Sequence, residues 1–111
     1  MKRPVNVAII EQTANAKLCS ESCGVNWLKT EPQKDAGERL RKLYGDSVNI
    51  EFLDLDIPEV RQKHGGWLKR VKEENLLLPL LVINGEIRIS GFFDTRMLLD
   101  MVDAEGEISR G

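Results

Sequence analysis

The stretch from Leu78 to Gly91, Leu-Pro-Leu-Leu-Val-Ile-Asn-Gly-Glu-Ile-Arg-Ile-Ser-Gly, constrains this chain more than any other. An apolar run of Leu, Val and Ile halts at Asn84-Gly85, a pair that tolerates positive φ at both centres of a type I′ turn. It resumes with Ile87 and Ile89 alternating against Glu86, Arg88 and Ser90, so the stretch predicts a β-hairpin. The first strand reads as continuous and buried on both faces, the second as having one dry and one wet face. Pro79 has no N–H for a ladder and must therefore start the strand. An X-Pro bond is also the only kind that adopts cis at modest cost.

The chain of 111 residues is long enough for one domain with a core that needs no covalent staples. Its formal net charge of −2, with 31% charged residues, argues against a nucleic-acid-binding surface. No apolar run approaches the 18 or so residues of a membrane helix. Met1-Lys2-Arg3-Pro4 and the short apolar run after it do not make a signal peptide. A cytoplasmic location is expected, and there Cys19 and Cys23 are expected to be reduced, metal-bound or redox-active rather than a structural staple.

Val5 to Ile10, a β-branched run behind Pro4, predicts a first strand. From Glu11 to Thr30 periodicity disappears in a polar excursion of about twenty residues, a length that in a compact domain usually carries function. Both cysteines lie in it. Thr30-Glu31-Pro32-Gln33 has the form of a capping box with proline in the first turn, and Ala36, Leu40, Leu43 and Tyr44 follow at helical spacing up to Gly45. Val48 to Leu55 alternates from Val48 to Phe52 and predicts a second strand, parallel to the first across the helical crossover.

Asp56 and Pro58 are suited to open a second helix, with Val60, His64, Trp67, Leu68 and Val71 on one face. Gly65-Gly66 predicts a break, leaving regular helix from Trp67 to Glu74. After the hairpin, Asp94 or Thr95 can cap a last helix with a Met97, Leu98, Met101 and Val102 stripe. Residues 1–104 then form one domain and 105–111 a frayed, flexible C-terminal tail. His64 reads as a half-buried core histidine, Trp27 as a lid packed over the core, and Lys69, Arg70 and Lys72 as a solvated face balanced by Glu73 and Glu74.

The resulting order, β-α-β-α-β-β-α, implies an α/β fold: a four-stranded mixed sheet with helices on its faces and the first strand between the second and third. A proline opening a strand, an Asn-Gly hairpin, a closing glycine and an amphipathic helix are together similar to the C-terminal half of the thioredoxin-like fold. That resemblance implies a cis Leu78-Pro79 bond facing reactive cysteines, with Leu78 and Pro79 as the place where substrate backbone docks.

The chemistry falls to Cys19-Ser20-Glu21-Ser22-Cys23-Gly24. In a catalytic dithiol one thiol, ionised near neutral pH, attacks a disulfide and the second resolves the mixed species. Three residues separate the cysteines here, where thioredoxins and most glutaredoxins have two. On an ideal helix, i and i+4 stand about 6 Å apart, toward the far end of the disulfide range.

The chain resembles the small YuzD-type disulfide oxidoreductases over most of residues 5–103. The shared features are the cysteine pair after the first strand, Pro32 with Lys34 and Asp35 at a helix start, Asp56-Ile57 after the second strand, and Pro79-Leu80 before the hairpin. It is similar, more distantly, to the arsenic metallochaperones at Leu78 to Val82, at Gly85-Glu86 and at Cys23-Gly24. Those proteins bind a trivalent metalloid through three thiolates including an adjacent pair, whereas this chain has two cysteines and no Cys-Cys.

Three functions stay open: a CxxxC dithiol oxidoreductase with Cys19 and Cys23 as catalytic residues, a thiolate metal or metalloid binder completed by a second chain, and a non-catalytic binding module. The first needs no cofactor or metal. Its expected partner is a protein thiol or disulfide, and a homodimer is compatible with the sequence.

Overall fold

The computed structural model of the protein describes residues 4–13 and 27–110. Strand β1 (Val5–Glu11) is followed by helix α1 (Thr30–Tyr44), strand β2 (Val48–Asp54), helix α2 (Pro58–Glu73), the hairpin strands β3 (Leu80–Ile83) and β4 (Glu86–Ser90), and helix α3 (Thr95–Arg110). The sheet order is β2-β1-β3-β4. β1 is parallel to β2, with Val5 opposite Val48 and Glu11 opposite Asp54, and antiparallel to β3, with Val7 opposite Ile83 and Ile10 opposite Leu80. This is the mixed sheet and element order of the thioredoxin-like fold, and β1 lies between β2 and β3 as expected, buried on both faces toward its C-terminal end at Ile9 and Ile10.

Strand alternation distributes two apolar clusters over the two faces of the sheet. Val5, Val7, Ile9, Leu81 and Ile83 join Ala36 and Leu40 of α1 and Leu98 and Val102 of α3 on one face. Ile10, Leu53, Leu80 and Val82 meet Val60, Trp67, Leu68 and Val71 of α2 on the other. Asn84 (φ 51°) and Gly85 (φ 83°) both have positive φ, as a type I′ turn demands. Gly45 ends α1 at φ 60° with its N–H on the Arg41 carbonyl.

The second hairpin strand departs from simple alternation. Leu81 faces Ile89 but Val82 faces Ile87, so β4 carries one extra residue at Arg88, a β-bulge. Because that residue reverses the parity, Ile89 packs on the α1/α3 cluster and Ile87 on the α2 cluster. The expected single dry face is therefore replaced by two half-buried isoleucines on opposite faces. Arg88 itself pairs with Glu105 of α3 and, at 3.3 Å, with Glu86.

Local details of the helices also differ from expectation. The capping box at Thr30 does not form: the N-cap is Lys29 without a side-chain cap, and Gln33 instead donates from Nε2 to the Trp27 carbonyl at 2.9 Å. Ile57, not Asp56, is the N-cap of α2, with Pro58 in the first turn. The interruption in α2 falls on His64 (φ −122°, ψ 27°), one residue before the glycine pair, and helix extends on both sides of it. Asp94 caps α3, its Oδ1 accepting from Met97 N–H at 2.9 Å. Met97 and Met101 lie on the exposed side of that helix while Leu98 and Val102 are buried. Helical backbone of α3 runs through Arg110.

Candidate functional site

The antiparallel pairing of Ile10 with Leu80 brings the end of β1 beside the start of β3. The Leu78–Pro79 bond is cis, as expected, and Pro79 is buried. Ser90 at the end of β4 and Gly91 after it hold this segment. The Pro79 carbonyl accepts from Gly91 N–H at 3.0 Å. Ser90 Oγ accepts from Leu77 N–H at 2.8 Å and donates to the Leu77 carbonyl at 3.0 Å. Gly91 has φ 107°, a conformation that a side chain would strain, and an added Cβ would stand 3.6 Å from Leu77 Cβ. On either side of this clamp two large apolar side chains face solvent, Leu77 at 67% and Phe92 at 52% exposure.

The same end of the sheet holds both described flanks of the cysteine-bearing stretch. On the N-terminal flank, Asp54 at the tip of β2 accepts from Thr13 N–H at 3.2 Å, from the Thr13 hydroxyl, and from Asp56 N–H at 2.9 Å. Gln12 Nε2 and Arg61 Nη2 both donate to Asp56 Oδ1 at 3.3 Å, and Arg61 Nε donates to the Leu55 carbonyl at 3.0 Å. One carboxylate per strand end thus satisfies backbone donors that the sheet leaves open. Glu11 is the buried charged residue here, its Oε1 accepting from Gln12 N–H at 3.0 Å.

On the C-terminal flank, Trp27 is fully buried. Its ring stacks on Phe93 at 5.1 Å and Phe52 at 6.3 Å, and Nε1 donates to the Phe93 carbonyl at 3.2 Å. Trp27 is therefore a core residue, not a lid over the core.

Of the residues singled out in the sequence, Leu78 and Pro79 lie at this sheet end, while Cys19 and Cys23 fall outside the described residues. His64 is half-buried at the α2 kink, over the part of the sheet that carries Val7, Ala8 and Val82. Lys69, Arg70 and Lys72 are exposed, with Arg70 paired to Glu74 at 2.8 Å and Lys69 to Glu73 at 4.0 Å. Among the described residues, no group of three or more His, Cys, Asp or Glu could hold a metal ion.

Sequence reasoning missed Glu11, Thr13, Asp54 and Ser90 as organisers of this end. The available signal was a charged or hydroxyl residue at the C-terminal edge of three apolar runs, Glu11 after Ile10, Asp54 after Leu53 and Ser90 after Ile89.

No protein-family model matches the chain, and no curated protein matches it in sequence. Among solved structures it is similar to a protein of unknown function from Staphylococcus aureus, with a TM-score of 0.60 and 16% identity over 92% of this chain and 91% of that one. At that identity the likeness speaks for the fold alone. Two further similarities have a TM-score of 0.46. One is to a thioredoxin-2 of the malaria parasite, 19% identical over 94% of this chain and 85% of that one. The other is to an arsenical resistance operon trans-acting repressor from Bacteroides vulgatus, 13% identical over 91% and 92%. No described helix is long and apolar enough to cross a membrane.

Proposed function

We propose that this protein is a small thiol/disulfide oxidoreductase of the YuzD type, with Cys19 and Cys23 as its dithiol and Leu78-Pro79 as the docking place for the partner's backbone. The observation that carries this reading is the shared position of the two flanks and the proline segment. Thr13, bonded to Asp54, and Gln12, bonded to Asp56, lie where β1 ends, and there Ile10 pairs with Leu80 next to Pro79. The exposed Leu77 and Phe92 beside that segment offer an apolar surface to a partner chain.

In the reaction, one cysteine thiolate attacks a disulfide sulfur of the partner, forming a mixed disulfide and expelling the partner's other sulfur as a thiolate. The second cysteine, once deprotonated, attacks the sulfur of the first. It closes Cys19–Cys23 and releases the partner's second thiolate, so two electrons pass from the dithiol to the partner.

The test is a reduction potential measured on the pure protein, with Cys19→Ser and Cys23→Ser and a metal assay on the same sample. Each single variant is expected to lose intramolecular oxidation, and only one to accumulate mixed disulfides, because trapping requires the attacking thiol to survive without its resolving partner. Equal and slow alkylation of both thiols at neutral pH, with no reversible disulfide, defeats the proposal. Stoichiometric metal in a dimer would establish the thiolate-binding alternative instead.

A further inference from the structure

A second feature lies on the other half of the sheet, near the start of β1, roughly 16 Å along the strand from Glu11. Here the α2 face of the sheet bears Asn6, Ala8, Asn49 and Glu51 in place of the large aliphatic residues further along. Above them α2 is interrupted at His64, and added Cβ atoms at Gly65 and Gly66 would meet nothing within 4 Å. Small side chains below and a kinked helix above leave a cavity of about 410 Å³, walled by those strand residues together with His64 and Trp67.

The polar side chains around this cavity are largely uncommitted to protein partners among the described residues, and Asn6, Asn49 and Glu51 face solvent. Asn49 uses its Nδ2 on Asn6 Oδ1 at 3.3 Å, which leaves its own Oδ1 as an acceptor. Glu51, His64 and the Trp67 indole nitrogen make no hydrogen bond or ion pair among the described residues. Among the described residues of the wall, Glu51 is the one formally charged group, with no Lys or Arg beside it. Arg70 lies over the Trp67 ring at 5.0 Å, but its charge is matched by Glu74 at 2.8 Å. An open cavity with an aromatic wall, a free amide acceptor and an unpaired carboxylate suits a flat ligand that brings hydrogen-bond donors and positive charge.

We infer that this cavity is a binding site for a small flat organic cation, an amidinium or aromatic amine. Its charged head is held by Glu51 and Asn49 Oδ1 and its body lies against Trp67. The site is independent of the cysteine chemistry.

Benzamidinium, neutral benzamide and benzoate share one shape and differ in charge, so titrating each into the ¹⁵N-labelled full chain isolates the contribution of charge. Benzamidinium is expected to give saturable shifts at the amides of Ala8, Asn49 and Glu51 and at the Trp67 indole, and benzoate none. Glu51→Gln should weaken benzamidinium by about fivefold, and Glu51→Lys should turn the preference to benzoate. Glu51 is exposed, so both variants are expected to keep the parent fold, which their spectra report directly. Equal shifts from benzoate and benzamidinium, shifts that do not saturate, or an unchanged affinity in Glu51→Gln would overturn the assignment.

Discussion

The Ser90 hydroxyl closes a two-way bridge to the backbone of Leu77, accepting from its N–H at 2.8 Å and donating to its carbonyl at 3.0 Å. One side chain of β4 therefore stands in for the strand that would otherwise pair with the residue two places before Pro79. Ser90→Ala removes both bonds from a solvent-accessible site, where each is worth about 1 kcal/mol. A loss of about 1–2 kcal/mol in denaturant unfolding is expected, with faster hydrogen exchange at the Leu77 amide than at the Leu81 amide. Unchanged exchange at Leu77 would show that the bridge does not hold the segment.

Trp27 combines a buried indole, two stacked aromatic neighbours and one hydrogen bond to the Phe93 carbonyl. Trp27→Phe keeps much of the apolar contact but withdraws the donor from a buried carbonyl, at a cost of about 1–3 kcal/mol. Trp27→Ala adds a cavity and should cost about 3–5 kcal/mol. Paired chemical denaturation of the two variants checks the order, and a Trp27→Ala no worse than Trp27→Phe would contradict a core role.

The bulge at Arg88 makes a prediction about coupling rather than size. Ile87 and Ile89 pack on opposite faces of the sheet, in separate apolar clusters. Residues that share no partners contribute independently, so the effects of Ile87→Ala and Ile89→Ala should add to within about 0.5 kcal/mol. An interaction energy well above that in the double variant would mean that both side chains share one face.

That bulge also marks where the sequence stopped being legible. The turn at Asn84-Gly85 follows from local chemistry, a pair suited to positive φ, and the central place of β1 from the element order together with the Ile9-Ile10 pair that needs cover on both faces. An extra residue in one strand leaves the alternation of Ile87 and Ile89 untouched, so the pattern of β4 reads the same with or without it. The break in α2 was foreseen from Gly65-Gly66, but which residue would leave helical geometry depends on how the helix crosses the sheet, and it is His64. Thr30 had the composition of a cap and lost the position to Lys29, because Gln33 bonds back to the carbonyl of Trp27, itself fixed in the core. At the candidate site Pro79 was visible as a strand opener. The Asp54–Thr13 contact joins residues far apart in sequence, and no local pattern announces it.

Arg70 and Glu74 form an exposed i, i+4 pair, and the hydrogen bond from Arg70 holds the Glu74 carboxyl below the ordinary glutamate value of 4.5. A carboxyl lowered in the folded state stabilises fully above its ordinary value, and that contribution fades as pH falls through the lowered one. Exposure keeps the effect small. Carboxyl resonances followed through an acid titration should give Glu74 a lower midpoint in the parent than in Arg70→Gln, and coincident midpoints would rule the coupling out.

Asp54 ties the chain leaving β1 to the tip of β2 through Thr13, and this contact bears on the proposed dithiol. Asp54→Ala removes the acceptor of the Thr13 backbone, the Thr13 hydroxyl and the Asp56 backbone, so unfolding should become easier by about 1.5–3 kcal/mol. If Cys19 and Cys23 act as a pair, freeing the chain before Cys19 also adds conformational freedom that the closed disulfide must give up. Closure then becomes less favourable and the reduction potential less negative. A tether worth about 1 kcal/mol corresponds to about 20 mV for a two-electron couple. Thr13→Val removes only the hydroxyl donor and should move the potential the same way by less. A shift in stability with no shift in potential would separate Asp54 from the dithiol and confine it to supporting the sheet end.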